Sequence, residues 1–253
     1  MSELFFRDEG EGEPMLLIHG LGAQSRVFDP VFARRGDKRL IAVDLPRTAR
    51  SGKWSSSTPE KVASALLPFL ETRAVKKFSV FGHSFGGLVA LELATRVPQR
   101  LTALNIASAP AVGLPSEFKL LLANPIADWT MSWMGSVPTW RPMLKAYLQL
   151  IWGEKKPSNE MLGIYEEATQ SKGFYEGMLE ALRAVGNFKL EHHVLRDLKI
   201  PKRVIWGEKD RLVPVMQGEQ LAIAIGVGLE ALNGVGHCVP EEAPDAVLSC
   251  LTR

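Results

Sequence analysis

Short apolar runs recur along the chain at residues 4–7, 15–19, 40–44, 78–81, 101–107, 203–206 and 229–232. Each has the length of a strand, is too short for a buried helix, and is bounded by residues that favour turns. Stretches of helical patterning separate them. This alternation predicts an α/β fold with a mostly parallel central sheet and helices on both faces. Between Ala111 and about Leu195 the alternation stops. That segment is helical in pattern and interrupted by Pro115, Pro125, Pro138, Pro142 and Pro157. It holds four of the six tryptophans, Trp129, Trp133, Trp140 and Trp152, with Ile126, Trp129 and Trp133 on one helical face. The pattern predicts one core built from residues 1–110 and 196–253, carrying a helical insertion over residues 111–195.

Composition narrows the class. At 253 residues with 46% hydrophobic content, the chain can bury one sizeable core. A formal net charge of +2, with no stripe of Lys and Arg interleaved with aromatics, argues against nucleic acid. No run approaches a membrane span, and the charged N-terminal residues lack the apolar centre of a signal peptide. The two cysteines, Cys238 and Cys250, cannot form a disulfide framework. A reduced, cytoplasmic setting follows as the expectation.

The chemistry is concentrated at strand ends. Gly82-His83-Ser84-Phe85-Gly86-Gly87 follows one apolar run and opens a helix pattern, which is the arrangement of a nucleophile elbow. The glycines two before and two after Ser84 leave room for strand and helix to pass each other. The first backbone N–H groups of the helix then point at the place where an oxyanion would develop. Upstream, residues 15–18 run into His19-Gly20-Leu21-Gly22, a turn that lets a backbone N–H approach a ligand. Downstream, Gly207-Glu208-Lys209-Asp210 follows a strand and supplies a carboxylate, and Gly236-His237 follows another.

These four motifs, in the order Ser84, Asp210, His237, resemble the α/β-hydrolase family of the single-domain, capped esterase type, over essentially the whole chain. The resemblance implies that Ser84 attacks a carbonyl, that His237 takes and returns its proton, and that Asp210 fixes the histidine tautomer. It implies an oxyanion hole from the backbone N–H groups of Leu21 and Phe85, and no cofactor or metal. It also implies that residues 111–195 form a cap, inserted after the sixth strand, that covers the serine. Trp129, Trp133 and Trp140 are then candidates to line an apolar substrate pocket. His83 is expected to pack, and His192 and His193 to lie exposed.

One loop departs from the family pattern. After Asp44-Leu45-Pro46 it reads Arg47-Thr48-Ala49-Arg50-Ser51-Gly52, without the expected early glycines, so the loop must take another course or carry strain. Arg47 and Arg50 are expected to be solvated, with a local anion preference as the alternative.

Within the fold, a serine at the elbow argues against dehalogenase and epoxide hydrolase chemistry, which use a carboxylate there. Cys238 stands where dienone C–C bond hydrolases typically carry tryptophan. The expected activity is hydrolysis of carboxylic esters with apolar, short-to-medium acyl groups, acting on a small-molecule ester. A ligand-triggered sensor or receptor, a C–C bond hydrolase and a carrier-protein methyl esterase are the alternatives. The last of these rests on the basic residues Arg141, Lys145, Lys155 and Lys156, which would meet an acyl carrier protein.

Overall fold

A computed structural model of the chain describes residues 4–52, 56–134 and 141–251. Seven strands form one sheet: β1 (Phe6–Glu9), β2 (Glu11–Ile18), β3 (Lys38–Val43), β4 (Phe78–His83), β5 (Leu101–Ala107), β6 (Lys202–Gly207) and β7 (Leu229–Leu232). Their order is β1-β3-β2-β4-β5-β6-β7, with β1 antiparallel to β3 and every other pair parallel. The apolar runs mark all seven. The largest displacement is at β2, which starts at Glu11, because its exposed first turn of sequence carries no apolar signal.

Period-two alternation divides the strand side chains between two cores. Leu16, Ile18, Ile41, Val43, Val80, Ile106 and Trp206 face one side, where α2 (Pro59–Thr72), α3 (Phe85–Arg96) and α10 (Val215–Ile225) cover them. Met15, Leu17, Leu40, Ala42, Phe81 and Ile205 face the other. There α1 (Asp29–Phe32), α11 (Val239–Glu242) and α12 (Pro244–Leu248) supply Val31, Val239 and Val247. Both faces are thereby sealed, as a parallel sheet requires.

Helices α4 (Ser116–Ala123), α5 (Pro125–Met134), α6 (Arg141–Ile151), α7 (Asn159–Thr169) and α8 (Phe174–Asn187) run between β5 and β6, followed by the short α9 (His192–Asp197). The helical segment thus follows the fifth strand, not the sixth. The sixth-strand expectation counts a strand that the described part of this sheet does not contain. Among the described residues, no helix is long and apolar enough to cross a membrane.

The chain leaves β2 for β3 on one side and returns to β4 on the other, so the carboxyl ends of β2 and β4 flank a topological switch point. In open α/β sheets such a crevice holds the ligand. Residues 19–22 and Ser84 leave the sheet at that crevice.

Candidate active site

Ser84 sits at φ 54° and ψ −120°, a conformation that a non-glycine residue adopts only under constraint. The constraint is the close passage of β4 and α3. A Cβ on Gly82 would lie 2.3 Å from the Gly86 carbonyl oxygen, and one on Gly86 only 2.2 Å from that of Ile18. The strand-turn-helix is therefore possible only with these glycines, and Ser84 is lifted out of the buried ladder. Gly20 packs against it closely enough that a Cβ on the glycine would lie 2.9 Å from the Ser84 Cβ.

Asp210 follows β6 and turns back on itself. Its Oδ1 accepts the backbone N–H groups of Leu212 at 2.9 Å and Val213 at 2.8 Å. Its Oδ2 is 2.9 Å from His237 Nδ1. A carboxylate only accepts, so His237 donates from Nδ1, which in the neutral ring is the tautomer with the lone pair on Nε2. Both residues are buried. The His237 carbonyl lies 2.7 Å from His83 Nε2, and because a carbonyl cannot donate, His83 is the donor. His83 thus bonds the loop of His237 to the residue beside Ser84. Burial, with the rings of His237 and His19 nearby, lowers the His83 pKa to about 3, so it stays neutral. The expected packing role understated it: the middle position of an elbow gives no sign of a partner 154 residues away.

The far side of the His237 loop is fastened to the helical segment. His237 N–H donates to Ile151 O at 2.7 Å, and Glu154 N–H to Gly234 O at 2.8 Å. The Glu242 carboxylate takes the N–H groups of Gly153 at 2.8 Å and Gly236 at 3.0 Å, and Lys155 Nζ donates to the Glu242 carbonyl at 2.6 Å. Backbone passes so close to backbone here that a Cβ on Gly236 would stand 2.3 Å from the Gly153 nitrogen.

The turn after β2 is held with equal care. His19, fully buried, bonds through Nδ1 to Gly20 O at 2.8 Å and accepts Leu45 N–H on Nε2 at 2.9 Å. Burial lowers its pKa and keeps it neutral. Asp44 Oδ1 accepts the Ser25 N–H at 2.7 Å. Among the described residues, neither Leu21 nor Phe85 spends its backbone N–H on a hydrogen bond. Two free donors therefore border the elbow. Leu21 and Phe85 line a cleft with Gly20, Leu45 and Ser57, and α8 roofs it with Phe174, Gly177 and Met178. Its enclosed space of about 20 Å³ holds roughly one water.

The tryptophans sit elsewhere. Trp129 is 69% exposed and Trp133 56%, on the outward face of α5, and neither borders this cleft. An apolar stripe shows that a helix has two faces but not which one meets the protein. Trp140 lies outside the described residues. Trp152 is buried against the second core. The loop after β3 carries its strain in Arg47 at φ 59° and Ala49 at φ 44°. Its arginines are not simply solvated: Arg50 stacks 3.6 Å over Phe5 and pairs with Asp44, while Arg47 lies against α8. His192 and His193 are exposed, as expected.

Beside the site, Glu241 is buried and accepts the Tyr165 hydroxyl at 2.7 Å. Burial raises its pKa from an ordinary 4.5 to about 7, against the opposing pull of that hydrogen bond. Burial also pushes the Cys238 thiol well above its usual range, so it remains protonated and is no competing nucleophile. The linkage has a defined sign. Between pH 4.5 and 7 the folded chain holds a proton on Glu241 that the unfolded chain has lost, so stability falls as pH rises, by about 3 kcal/mol at most. His83 acts oppositely between about pH 3 and 6.5, where stability rises with pH. Glu241→Gln keeps an acceptor for Tyr165 and is expected to leave stability near pH 4.5 little changed while raising it at pH 8. Thermal unfolding of both proteins across this range measures it. Parallel stability curves would refute the assignment.

The chain resembles known proteins over nearly all its length. It is 25% identical over 242 residues to the uncharacterised hydrolase YugF of Bacillus subtilis, covering 93% of this chain and 87% of that one. It is 27% identical over 232 residues to a pimeloyl-[acyl-carrier protein] methyl ester esterase of Shewanella woodyi, covering 84% and 82%. A solved thermophilic esterase of Thermogutta terrifontis superposes with a TM-score of 0.83 at 23% identity, over 99% of this chain and 92% of that one. The profile of the alpha/beta hydrolase family matches residues 15–249, from the first parallel strand past the histidine loop, and the chain belongs to that family.

Proposed function

We propose that the chain is a serine hydrolase of carboxylic esters. The observation that carries this is His237, held by Asp210 on Nδ1 and tied through its carbonyl to His83, the residue next to Ser84 in the elbow, an arrangement that supports Nε2 as the base. Ser84 Oγ forms a bond to the ester carbonyl carbon as its proton passes to His237 Nε2, and the displaced electron pair collects on the carbonyl oxygen. The N–H groups of Leu21 and Phe85 stabilise that oxyanion. Collapse breaks the bond to the alkoxy group, which leaves as an alcohol with the proton from His237. Water, deprotonated by the same nitrogen, then releases the acid and restores Ser84.

The acyl group lies in the cleft under α8, among Leu21, Phe85, Phe174 and Met178, with α4–α8 acting as the cap. The cleft is nearly closed, so acyl chains enter as α8 shifts. Each buried methylene contributes about 0.8 kcal/mol, so two more carbons raise kcat/KM roughly tenfold while the space lasts. p-Nitrophenyl esters of graded length test this: butyrate to octanoate are expected to exceed acetate. Met178→Ala is expected to shift the preference, and Trp129→Ala to leave it unchanged. Acetate as the best ester, with a preference indifferent to Met178, would remove the apolar acyl pocket; a single turnover with retained acyl group would favour a sensor.

The similarity to carrier-protein methyl ester esterases supports a second reading in which the acyl group arrives on an acyl carrier protein. Against it, Arg141 pairs with Glu166 and Lys155 serves the Glu242 carbonyl, which leaves Lys145 and Lys156 for an acidic partner. A methyl ester cleaved faster on the carrier than free in solution would decide for it.

A further inference from the structure

Arg47 has a strained backbone and an unusual lodging. At φ 59° it leaves the loop between Pro46 and Thr48, two residues that line the cleft, and its side chain crosses the start of α8. A Cβ on Gly177 would lie 2.8 Å from Arg47 Cδ, and one on Gly173 would lie 2.9 Å from Nη1. The glycines are the space that the arginine occupies. Among the described residues its guanidinium makes one hydrogen bond, a long one from Nη1 to Gly173 O at 3.5 Å, and its buried Nε has no partner. Among the described residues no carboxylate reaches it within 4 Å.

The setting is positive on one further count. α8 has 14 residues and is preceded by Gly173 as its N-cap, which offers the first turn no side-chain cap, so the guanidinium lies at the positive end of the helix dipole. Two like charges held together in this way both call for an anion. The acidic residues of α8, Glu176 and Glu180, line a separate surface groove, and Glu180 accepts the Ser56 hydroxyl at 2.6 Å. The second, independent observation is Ser57. It is 5% exposed, lines the cleft, and among the described residues its Oγ has no partner, although it stands 3.4 Å from the same built Cβ position on Gly177 that Arg47 crowds. A buried hydroxyl without a partner costs free energy unless a ligand completes it.

We propose that Arg47 and Ser57 form a carboxylate subsite at the end of the acyl cleft, so that the preferred substrates are half-esters whose acyl chain ends in a free carboxylate. The proposal rests on the ester-hydrolase reading for its chemistry, and on Arg47 and Ser57 for its selectivity. The chain between ester and carboxylate crosses the apolar part of the cleft. At the far end the carboxylate receives the guanidinium and the hydroxyl, which satisfies the two unpartnered groups together.

Monomethyl esters of linear dicarboxylic acids of four to eight carbons, compared with methyl esters of the matching monocarboxylic acids, test it by kcat/KM. The wild type is expected to favour the half-ester at one length. Arg47→Met is expected to lower kcat/KM for that half-ester by about 10- to 100-fold, and Ser57→Ala by about 3- to 10-fold, in each case by several-fold more than for the matching neutral ester. Equal loss on both ester types, or a wild type that prefers the neutral ester at every length, would overturn the subsite. Calorimetric titration of glutarate and adipate into wild type, Arg47→Met and Ser57→Ala separates this result from failure of the hydrolase reading. Dicarboxylate binding that weakens in both variants sustains the subsite even if no ester is cleaved, whereas absence of binding in the wild type overturns it even if esters are cleaved.

Discussion

Ser84→Ala is expected to cut kcat for any ester by about 10⁶, because nucleophile, base and orienting carboxylate act as a unit and the loss of one forfeits most of what all three supply. The fold is expected to survive the change. Ser84 Oγ enters no hydrogen bond that supports the sheet, and the turn is set by the backbone bond from Ser84 N–H to Ala107 O at 2.8 Å, which alanine keeps. The relevant measurement is a single-turnover assay beside a thermal unfolding curve. Retention of more than about a hundredth of the wild-type rate with an unchanged unfolding curve would displace Ser84 as the nucleophile.

Asp210→Asn is expected to lower kcat by about 10⁴, although it removes no volume. The amide oxygen of the asparagine can still receive Leu212 and Val213 N–H, as Asp210 Oδ1 does now. Its NH₂ group then faces His237 Nδ1 and donates where Oδ2 accepted. His237 must move its proton to Nε2, the nitrogen that has to receive one from Ser84. Because the same two turn bonds remain, stability is expected to change far less than rate. An Asp210→Asn variant within tenfold of wild type would show that Asp210 does not hold the tautomer.

The sheet was legible because a parallel strand buried on both faces needs a largely apolar run, and residues 101–107 coincide with β5 to the residue, while the half-buried edge strand β7 still shows its apolar positions over 229–232. The elbow was legible for a different reason: Gly82 and Gly86 answer a backbone collision that no other residue type avoids. What stayed hidden depends on neighbours remote in sequence. Trp129 and Trp133 share a helical face, but a stripe on a helix without a known partner has no inside. Arg47 and Ser57 carry no local pattern at all, and their meaning comes from Gly173 and Gly177, more than a hundred residues on. His83 was visible as a residue, while its bond to the His237 carbonyl belongs to the closing of the chain on itself.

The bonds that join residues 151–154 to the histidine loop also bear on how variants of this protein can be made. A helical segment tied to the reaction only by its roof could be exchanged for that of another family member as a cassette. Here the cassette has a fixed boundary. Ile151 O, Gly153 N–H and Glu154 N–H belong mechanically to the loop of His237, so a transplant ending beyond Lys155 would bring in a foreign seat for that residue. A recombination point placed before Ile151 leaves that seat native, so residues 111–150 can be exchanged without replacing the backbone groups that hold the His237 loop.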